Sequence, residues 1–107
     1  MTANEYQNIV MSMRNCKLSE KDLLLSGVMG LCGEAGEVIE LVKKWFAQGH
    51  SLDRDRLISE LGDVAWYLAA TAYALQIPLD DVLTNNIEKL KARYPQGFCT
   101  ENSVHRK

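Results

Sequence analysis

The chain has 107 residues, 47% of them hydrophobic and 24% charged, which predicts one small globular domain spanning residues 1–107. Its net charge of −2, with acids and bases mixed, argues against the basic surface that binds nucleic acid through phosphates. We expect no signal peptide and no membrane segment, because the N-terminal residues are polar and no apolar run is long enough to span a bilayer. Cys16, Cys32 and Cys99 are odd in number and lack CxxC spacing, so a reducing cytoplasm is the predicted location.

The first two predicted helices occupy the N-terminal half. Apolar side chains recur at helical spacing over about residues 3–14. A longer helix begins after Ser19, a residue type that caps helices, and ends at Gly49. Its apolar residues alternate steps of four and three, and we predict that they form the face packed into the core: Val28, Cys32, Ala35, Ile39, Val42 and Phe46.

Four glycines interrupt this second helix, at positions 27, 30, 33 and 36. Each costs a helix about 1 kcal/mol relative to alanine, so their number indicates the close approach of another backbone or of a ligand. Two acids, Glu34 and Glu37, lie one turn apart beside the predicted core face, whereas Glu40 turns towards solvent. We interpret this helix as half of a metal site.

The third and fourth predicted helices complete the fold. The third begins after Asp53, and from Val64 to Leu75 it is apolar nearly all the way round, which predicts burial on most sides. Pro78 ends it, and the fourth helix covers about residues 79–93. No segment has the period of two that marks a strand. The predicted class is therefore all-α, a four-helix bundle with a loose tail from about residue 95. The apolar stripe of the fourth helix is predicted at Leu79, Val82, Leu83, Ile87 and Leu90.

A second acid pair, Glu60 and Asp63, shares one face of the third helix, and Tyr67 continues that face. Carboxylates entering a mostly buried helix cost several kcal/mol per ion, by a rough estimate, unless they are paired or bound to a cation. Oxygen ligands of this kind suit Mg²⁺ or Mn²⁺.

Ordinary ion pairs are the competing interpretation of these acids. Arg56 stands one turn before Glu60, and Lys43 or Lys44 could pair with Glu37. Such pairs on helix surfaces are common and contribute only about 0.3–0.5 kcal/mol each. Four acids on two helices outnumber the cations placed to meet them, which favours the metal site.

The fourth helix carries Asn86 in the middle of its apolar stripe. A polar amide at such a position needs partners, either on a neighbouring helix or on a ligand. Lys89 and Arg93 flank the same face and favour an anionic ligand. The histidines, His50 and His105, suggest no role.

Three segments together resemble one known family: GEAGEVIE, ELGDVAWYLA and NIEKLKARYPQGF. The pattern ExxE, a gap and then ExxD, followed by NxxKL, is similar to the MazG-like all-α nucleoside triphosphate pyrophosphohydrolases over about residues 20–98. The resemblance implies metal ligands at Glu34, Glu37, Glu60 and Asp63 and substrate contacts at Asn86 and Lys89. Many members have a further glutamate where this chain has Gly33, which leaves open the number of metals and the acid that handles water.

The resemblance also implies a reaction. With Mg²⁺ as the expected metal and Mn²⁺ as a possible substitute, a water held by the metal or by a carboxylate would attack the α-phosphate of a nucleoside triphosphate. Pyrophosphate would leave and a nucleoside monophosphate would remain. We expect Glu34 or Glu37 to position the water, Lys89 and Arg93 to stabilise phosphate charge, and Tyr67 to contact the substrate.

Alternative functions remain at this point. A di-iron bundle also uses inward acids on paired helices, but it requires Glu-x-x-His motifs that this chain lacks. A non-enzymatic helical assembly protein would explain the apolar helices but not the acids beside them. Within the family, relatives that act on dUTP, dCTP or phosphoribosyl-ATP share much of the metal pattern.

Assembly is the last expectation. A chain of 107 residues cannot cover an apolar third helix with its own three partners, and large exposed apolar patches mark interfaces. Family members form dimers or dimers of dimers. We therefore predict a homodimer or homotetramer, with Trp66, Leu68 or Tyr73 near the contact.

Overall fold

The computed structural model describes residues 1–105, and the last two residues of the predicted loose tail lie outside this range. The described chain forms five α-helices and no β-strand: α1 Ala3–Ser12, α2 Glu20–Ala47, α3 Arg54–Ala74, α4 Leu79–Arg93 and α5 Thr100–Val104. The all-α class is thus confirmed, with one helix more than predicted. The additional helix is a short one in the tail, where the Asn102 N–H donates to Cys99 Sγ at its first turn (3.4 Å).

Local chemistry fixes the helix ends. The side chains of Thr2, Ser19 and Asp53 each accept a hydrogen bond from a backbone N–H in the first turn of α1, α2 and α3. Gly49 follows α2 with φ +73°, and the next N–H, that of His50, donates to Lys44 O (3.0 Å). This left-handed glycine turns the chain towards α3, as expected for a glycine past a helix C-terminus.

The helices pack around α3. It pairs along its length with α2, and it also contacts α1 and α4, which in turn contact each other. The core consists mainly of aliphatic side chains from four helices, and the alanines of α3 let its neighbours approach closely. The buried apolar cluster contains Val10, Met11, Leu23, Ala69, Ala70, Ala74 and Leu79. No helix within residues 1–105 combines the length and the apolar character needed to cross a membrane.

The inward face of α2 differs from the predicted one. Its buried residues are Leu23, Gly27 and Leu41, whereas Ile39 and Phe46 of the predicted stripe are 65% and 82% exposed. The two sets have the same spacing of four and three but are offset by one residue, or about 100° around the helix. Gly27 and Gly30 are inside because α3 packs against them, whereas Gly33 and Gly36 have nothing within 4 Å of an added Cβ, so close approach holds at two of the four glycines. Most of the predicted stripe is exposed, and Val42 is half-buried.

Two predictions about the other helices also need correction. In α4 the stripe is buried only at its start: Leu79 is buried, but Ile87 is 50% exposed. Asn86 is exposed as well, so it is not the core asparagine that its position in the stripe suggested. In α3, Trp66 and Leu68 are partly buried against the apolar cluster of the same chain, and Tyr73 is 40% exposed; a subunit contact near these residues stays a prediction.

One buried polar side chain, Gln7, connects α1 to both ends of the α3–α4 junction. Its Nε2 donates to Ala69 O (3.3 Å) and Ile77 O (3.2 Å), and its Oε1 accepts from the Leu79 N–H (2.9 Å). Both ends of the amide are therefore satisfied, as a buried amide requires. The contact sets the position of α1 against the start of α4.

Candidate metal centre

A line of close contacts between α2 and α3, which we call the seam, positions the candidate site. Gly27 lies against Thr71 and Gly30 lies against Tyr67. A Cβ at Gly30 would fall less than 3.0 Å from three ring atoms of Tyr67, and a Cβ at Gly27 would fall 3.2 Å from the Thr71 backbone N. No other residue type fits either position without displacing its neighbour. Later positions on α2 meet earlier positions on α3, so the two helices run antiparallel.

One turn further along the seam from Gly30 and Tyr67, three carboxylates converge. Glu34, Glu60 and Asp63 each offer an oxygen, and the three oxygens lie within 4.8 Å of one another. Glu34 and Glu60 are half-buried, whereas Asp63 is exposed. We call these three residues the acid cluster. The close packing of the glycines in the preceding turns brings the two helices near enough for the carboxylates to meet.

The pKa of one carboxyl group in the acid cluster, that of Glu34, is raised. A side-chain hydrogen bond with Glu60 raises the pKa of Glu34 above its usual range, and burial and the neighbouring negative charges raise it further. A phenol from α1 is also affected, because burial and the charge of Asp63 raise the pKa of Tyr6. A raised pKa means that Glu34 holds a proton more tightly in the acid cluster than it would in an isolated side chain.

The donor set fits a hard divalent cation. Glu60 Oε2 is buried and has no hydrogen-bond partner among the described residues, although a carboxylate oxygen in such a position costs free energy unless something binds it. The ligand atoms offered by the acid cluster are all carboxylate oxygens, the type that Mg²⁺ and Mn²⁺ prefer. A bound cation would give Glu60 Oε2 a partner and neutralise the crowded charges.

The ion pairs considered as an alternative do not form. Among residues 1–105 the salt bridge within 4.0 Å is Lys43–Glu40 at 3.9 Å, between two exposed side chains one turn apart on α2. Neither Arg56 with Glu60 nor Lys44 with Glu37 is paired at that distance in the same range. The acids of the seam therefore lack the cationic partners that would make them an ordinary surface network.

The other residues predicted for the site lie at different distances from the acid cluster. Glu37 is exposed and outside the group of three, although its charge contributes to the raised pKa of Glu34. The Tyr67 ring lies against Gly30, as described above. Asn86 and Lys89 line a separate cavity of about 350 Å³ on α4, and Arg93 is half-buried at the end of that helix. The described contacts of α4 are with α1 and α3.

Sequence reasoning missed two contributors. Tyr6 lies near Asp63 in the fold, but the two are 57 positions apart and no sequence pattern joins them. Gly30 was noticed as a site of close approach, but its partner Tyr67 was not identified. The helical wheel could have indicated this partner, because Gly30 precedes Glu34 by one turn and Tyr67 follows Asp63 by one turn.

Comparison with known proteins identifies the family of the chain. No solved structure shows a significant match. The chain is similar to the "Gene 37 protein" of Mycobacterium phage L5, with 42% identity over 82 residues, covering 73% of this chain and 72% of the phage protein. Residues 24–98, which contain α3, α4 and all of the acid cluster, match the model of the MazG nucleotide pyrophosphohydrolase domain. This protein therefore belongs to the MazG nucleotide pyrophosphohydrolase family.

Proposed function

We propose that this protein is a Mg²⁺-dependent hydrolase that converts a nucleoside or deoxynucleoside triphosphate to the monophosphate and pyrophosphate. The observation that carries the proposal is the acid cluster with its buried, unpartnered Glu60 Oε2. Membership of the family supports nucleotide pyrophosphohydrolysis in general. The metal and the triphosphate substrate are our inferences from the carboxylate donors and the family resemblance.

The proposed metal ligands are Glu34, Glu37, Glu60 and Asp63. Mg²⁺, when bound there, neutralises carboxylates and phosphate oxygens that would otherwise repel each other. Glu34 or Glu37 accepts a hydrogen bond from the attacking water and orients it towards the α-phosphorus. A bond forms from the water oxygen to phosphorus while that carboxylate takes the water proton, the bond from phosphorus to the α,β-bridging oxygen breaks, and pyrophosphate leaves with that electron pair.

Four further residues are proposed to bind substrate. Tyr67 is adjacent to the acid cluster along α3, and its ring offers an apolar face to the nucleoside. Asn86, Lys89 and Arg93 on α4 are proposed to contact the nucleotide through an amide and two cations. Asn86 and Lys89 are exposed in the single chain, which is compatible with a role at a site that a second copy completes.

The proposal is tested with a nucleotide panel in the presence of Mg²⁺, scored for pyrophosphate release. The panel includes the common nucleoside and deoxynucleoside triphosphates, with dUTP and dCTP among them, and phosphoribosyl-ATP. Release from at least one compound, abolished by chelator, is the expected result. A folded protein that releases pyrophosphate from none of them would overturn the proposal and favour the alternative of a non-enzymatic assembly protein.

Variants test the residue assignments in the same assay. Glu37→Gln and Asp63→Asn should abolish turnover while the fold remains stable, because a neutral amide relieves acid crowding but holds Mg²⁺ poorly. Glu40→Gln is the matched control, since Glu40 is on the same helix as Glu37 but is not a proposed metal ligand, and its carboxylate lies 3.9 Å from Lys43 Nζ. Near-normal Mg²⁺-dependent rates in both site variants would contradict the assignment.

We also propose that the protein assembles as a homodimer or homotetramer. Large apolar side chains are exposed on α2 and α4 of the single chain, including Ile39, Phe46 and Ile87. Exposed patches of this kind commonly mark interfaces. Light scattering should give at least twice the 12.0 kDa mass of the chain, and Ile39→Glu should lower it. A stable and fully active monomer would contradict this proposal.

The cytoplasmic location rests on cysteine spacing and stays a prediction.

A further inference from the structure

Beyond the acid cluster, the seam opens into a cavity of about 230 Å³ at the α2–α3 turn, which we call the basic cavity. Three of its side chains carry nitrogen donors suited to anions, and a serine adds a hydroxyl. The backbone bond from the His50 N–H to Lys44 O (3.0 Å) folds the turn back onto the end of α2. The cavity is lined by Leu41, Lys44, His50, Ser51, Asp53 and Arg56.

The cations of the basic cavity are not neutralised within the described chain. No carboxylate in residues 1–105 lies within 4.0 Å of the charged nitrogens of Lys44 or Arg56. Asp53 is the acid in the cavity lining, but its Oδ1 accepts the Arg56 backbone N–H (3.1 Å) as the N-cap of α3. Two residues with permanent positive charges and no ion-pair partner therefore line one cavity in a protein whose net charge is −2.

Two residues that line the basic cavity, Arg56 and Leu41, share the helix faces that carry the acid cluster. Arg56 precedes Glu60 by four residues on α3, one helical turn or about 6 Å. On α2, Leu41 follows Glu34 by seven residues, two turns along the same face. In the opposite direction, Tyr67 follows Asp63 by one turn. The seam thus presents an aromatic ring, a group of carboxylates and a pair of cations in that order.

This order matches the order of chemical groups in a nucleoside triphosphate. A nucleoside suits an aromatic face, phosphate oxygens near the reacting centre suit a carboxylate-held cation, and terminal phosphates suit lysine and arginine. An adjacent cavity also meets a need of the reaction, because the departing pyrophosphate carries most of the substrate's charge. Lys89 and Arg93, which are also proposed to contact phosphate, lie on α4 and not along the seam of this chain.

We infer that the basic cavity binds the terminal phosphates of the substrate, so that the nucleotide lies along the seam with its nucleoside towards Tyr67 and its phosphate chain towards the α2–α3 turn. The inference rests on the proposed function for the identity of the substrate. Lys44 and Arg56 are the residues that contact the β- and γ-phosphates and hold pyrophosphate after cleavage. The nucleoside monophosphate makes no contact with them.

The test measures binding of inorganic pyrophosphate in the presence of Mg²⁺ by isothermal titration calorimetry. Lys44→Gln and Arg56→Gln should each raise the dissociation constant of pyrophosphate roughly tenfold, the effect of losing one charge-assisted contact. Lys43→Gln and Arg54→Gln are matched controls, because each removes the same charge one or two positions away from the lining of the cavity. Arg56→Lys should restore part of the loss.

Kinetics separate this inference from the proposed function. Lys44→Gln and Arg56→Gln should raise KM for the fastest substrate of the nucleotide panel. The inhibition constant of the corresponding monophosphate should stay within about twofold of the wild-type value, because the monophosphate has no phosphate that reaches the cavity. Cavity variants indistinguishable from their controls in pyrophosphate binding and KM would overturn the inference while wild-type turnover upheld the function. If pyrophosphate binding depends on Arg56 but no nucleotide is hydrolysed, the proposed function is wrong and the basic cavity is an anion site of another kind.

Discussion

Replacing Gly30 with alanine provides a direct test of how the seam is built. The new Cβ would lie less than 3.0 Å from three ring atoms of Tyr67, so the ring or one of the helices must move. Overpacking of this kind costs about 1–3 kcal/mol, against which alanine gains about 1 kcal/mol of helix propensity over glycine. Gly33, on the exposed side of α2, has nothing within 4 Å of an added Cβ. Gly33→Ala should therefore show the gain alone.

The expected separation between the two variants is thus about 1–3 kcal/mol in the free energy of unfolding. For a domain near this size, about 2 kcal/mol corresponds to roughly 10 °C in Tm. Thermal unfolding followed by circular dichroism measures the separation, and repeating the pair in a Tyr67→Ala background tests its cause. The separation should disappear when the ring is absent. Equal melting temperatures for Gly30→Ala and Gly33→Ala in the native background would refute this account of the seam.

Three further predictions concern pH, metal and the core. Because the pKa of Glu34 is raised, the native state holds the proton of this carboxyl more tightly than the unfolded state does. In chelator, the free energy of unfolding should therefore fall as pH rises from 4.5 through the raised pKa, and Glu34→Gln should weaken this pH dependence. Mg²⁺ at a hundred times its dissociation constant should add about 2.7 kcal/mol of stability, and Glu60→Gln should remove this increment without destabilising the metal-free protein. Gln7→Leu leaves the buried Leu79 N–H without a partner and should cost about 2–3 kcal/mol in denaturant titrations, whereas the exposed Asn8→Leu should cost much less. Each prediction has an outcome that would contradict it. These are a pH dependence of stability in the wild type no steeper than that of Glu34→Gln, stabilisation by Mg²⁺ that persists in Glu60→Gln, and equal losses of stability in Gln7→Leu and Asn8→Leu.

The sequence was sufficient to predict most helix ends and the approach of Glu34 to Glu60 and Asp63, but not the position of Glu37 outside that group. Ser19 and Asp53 cap α2 and α3 as expected, because capping depends on residues within one turn of each other. The pairing of Glu34 with Glu60 and Asp63 was predicted from two local spacings and the family pattern. Interactions between residues close in sequence are encoded in short segments, so they can be predicted from the sequence.

The inward face of α2 could not be found from apolar periodicity. Hydrophobicity ranks Ile39 and Phe46 above Gly27 and Gly30, yet the distance between two helices is decided by the smallest side chains on the facing surfaces. The approach of Tyr6 to Asp63 and the course of α4 depend on tertiary packing over more than 50 positions, which no local pattern records.

The buried amide of Gln7 has a consequence for the motions of the native state. The Leu79 N–H donates to Gln7 Oε1 at the start of α4, where no preceding helical turn supplies a carbonyl acceptor. Solvent hydrogen exchange at this amide therefore reports the undocking of α1, whereas amides in the middle of α3 exchange only when α3 itself opens. Residue-resolved exchange would reveal whether the N-terminal helix detaches as a separate cooperative unit before the rest of the bundle unfolds.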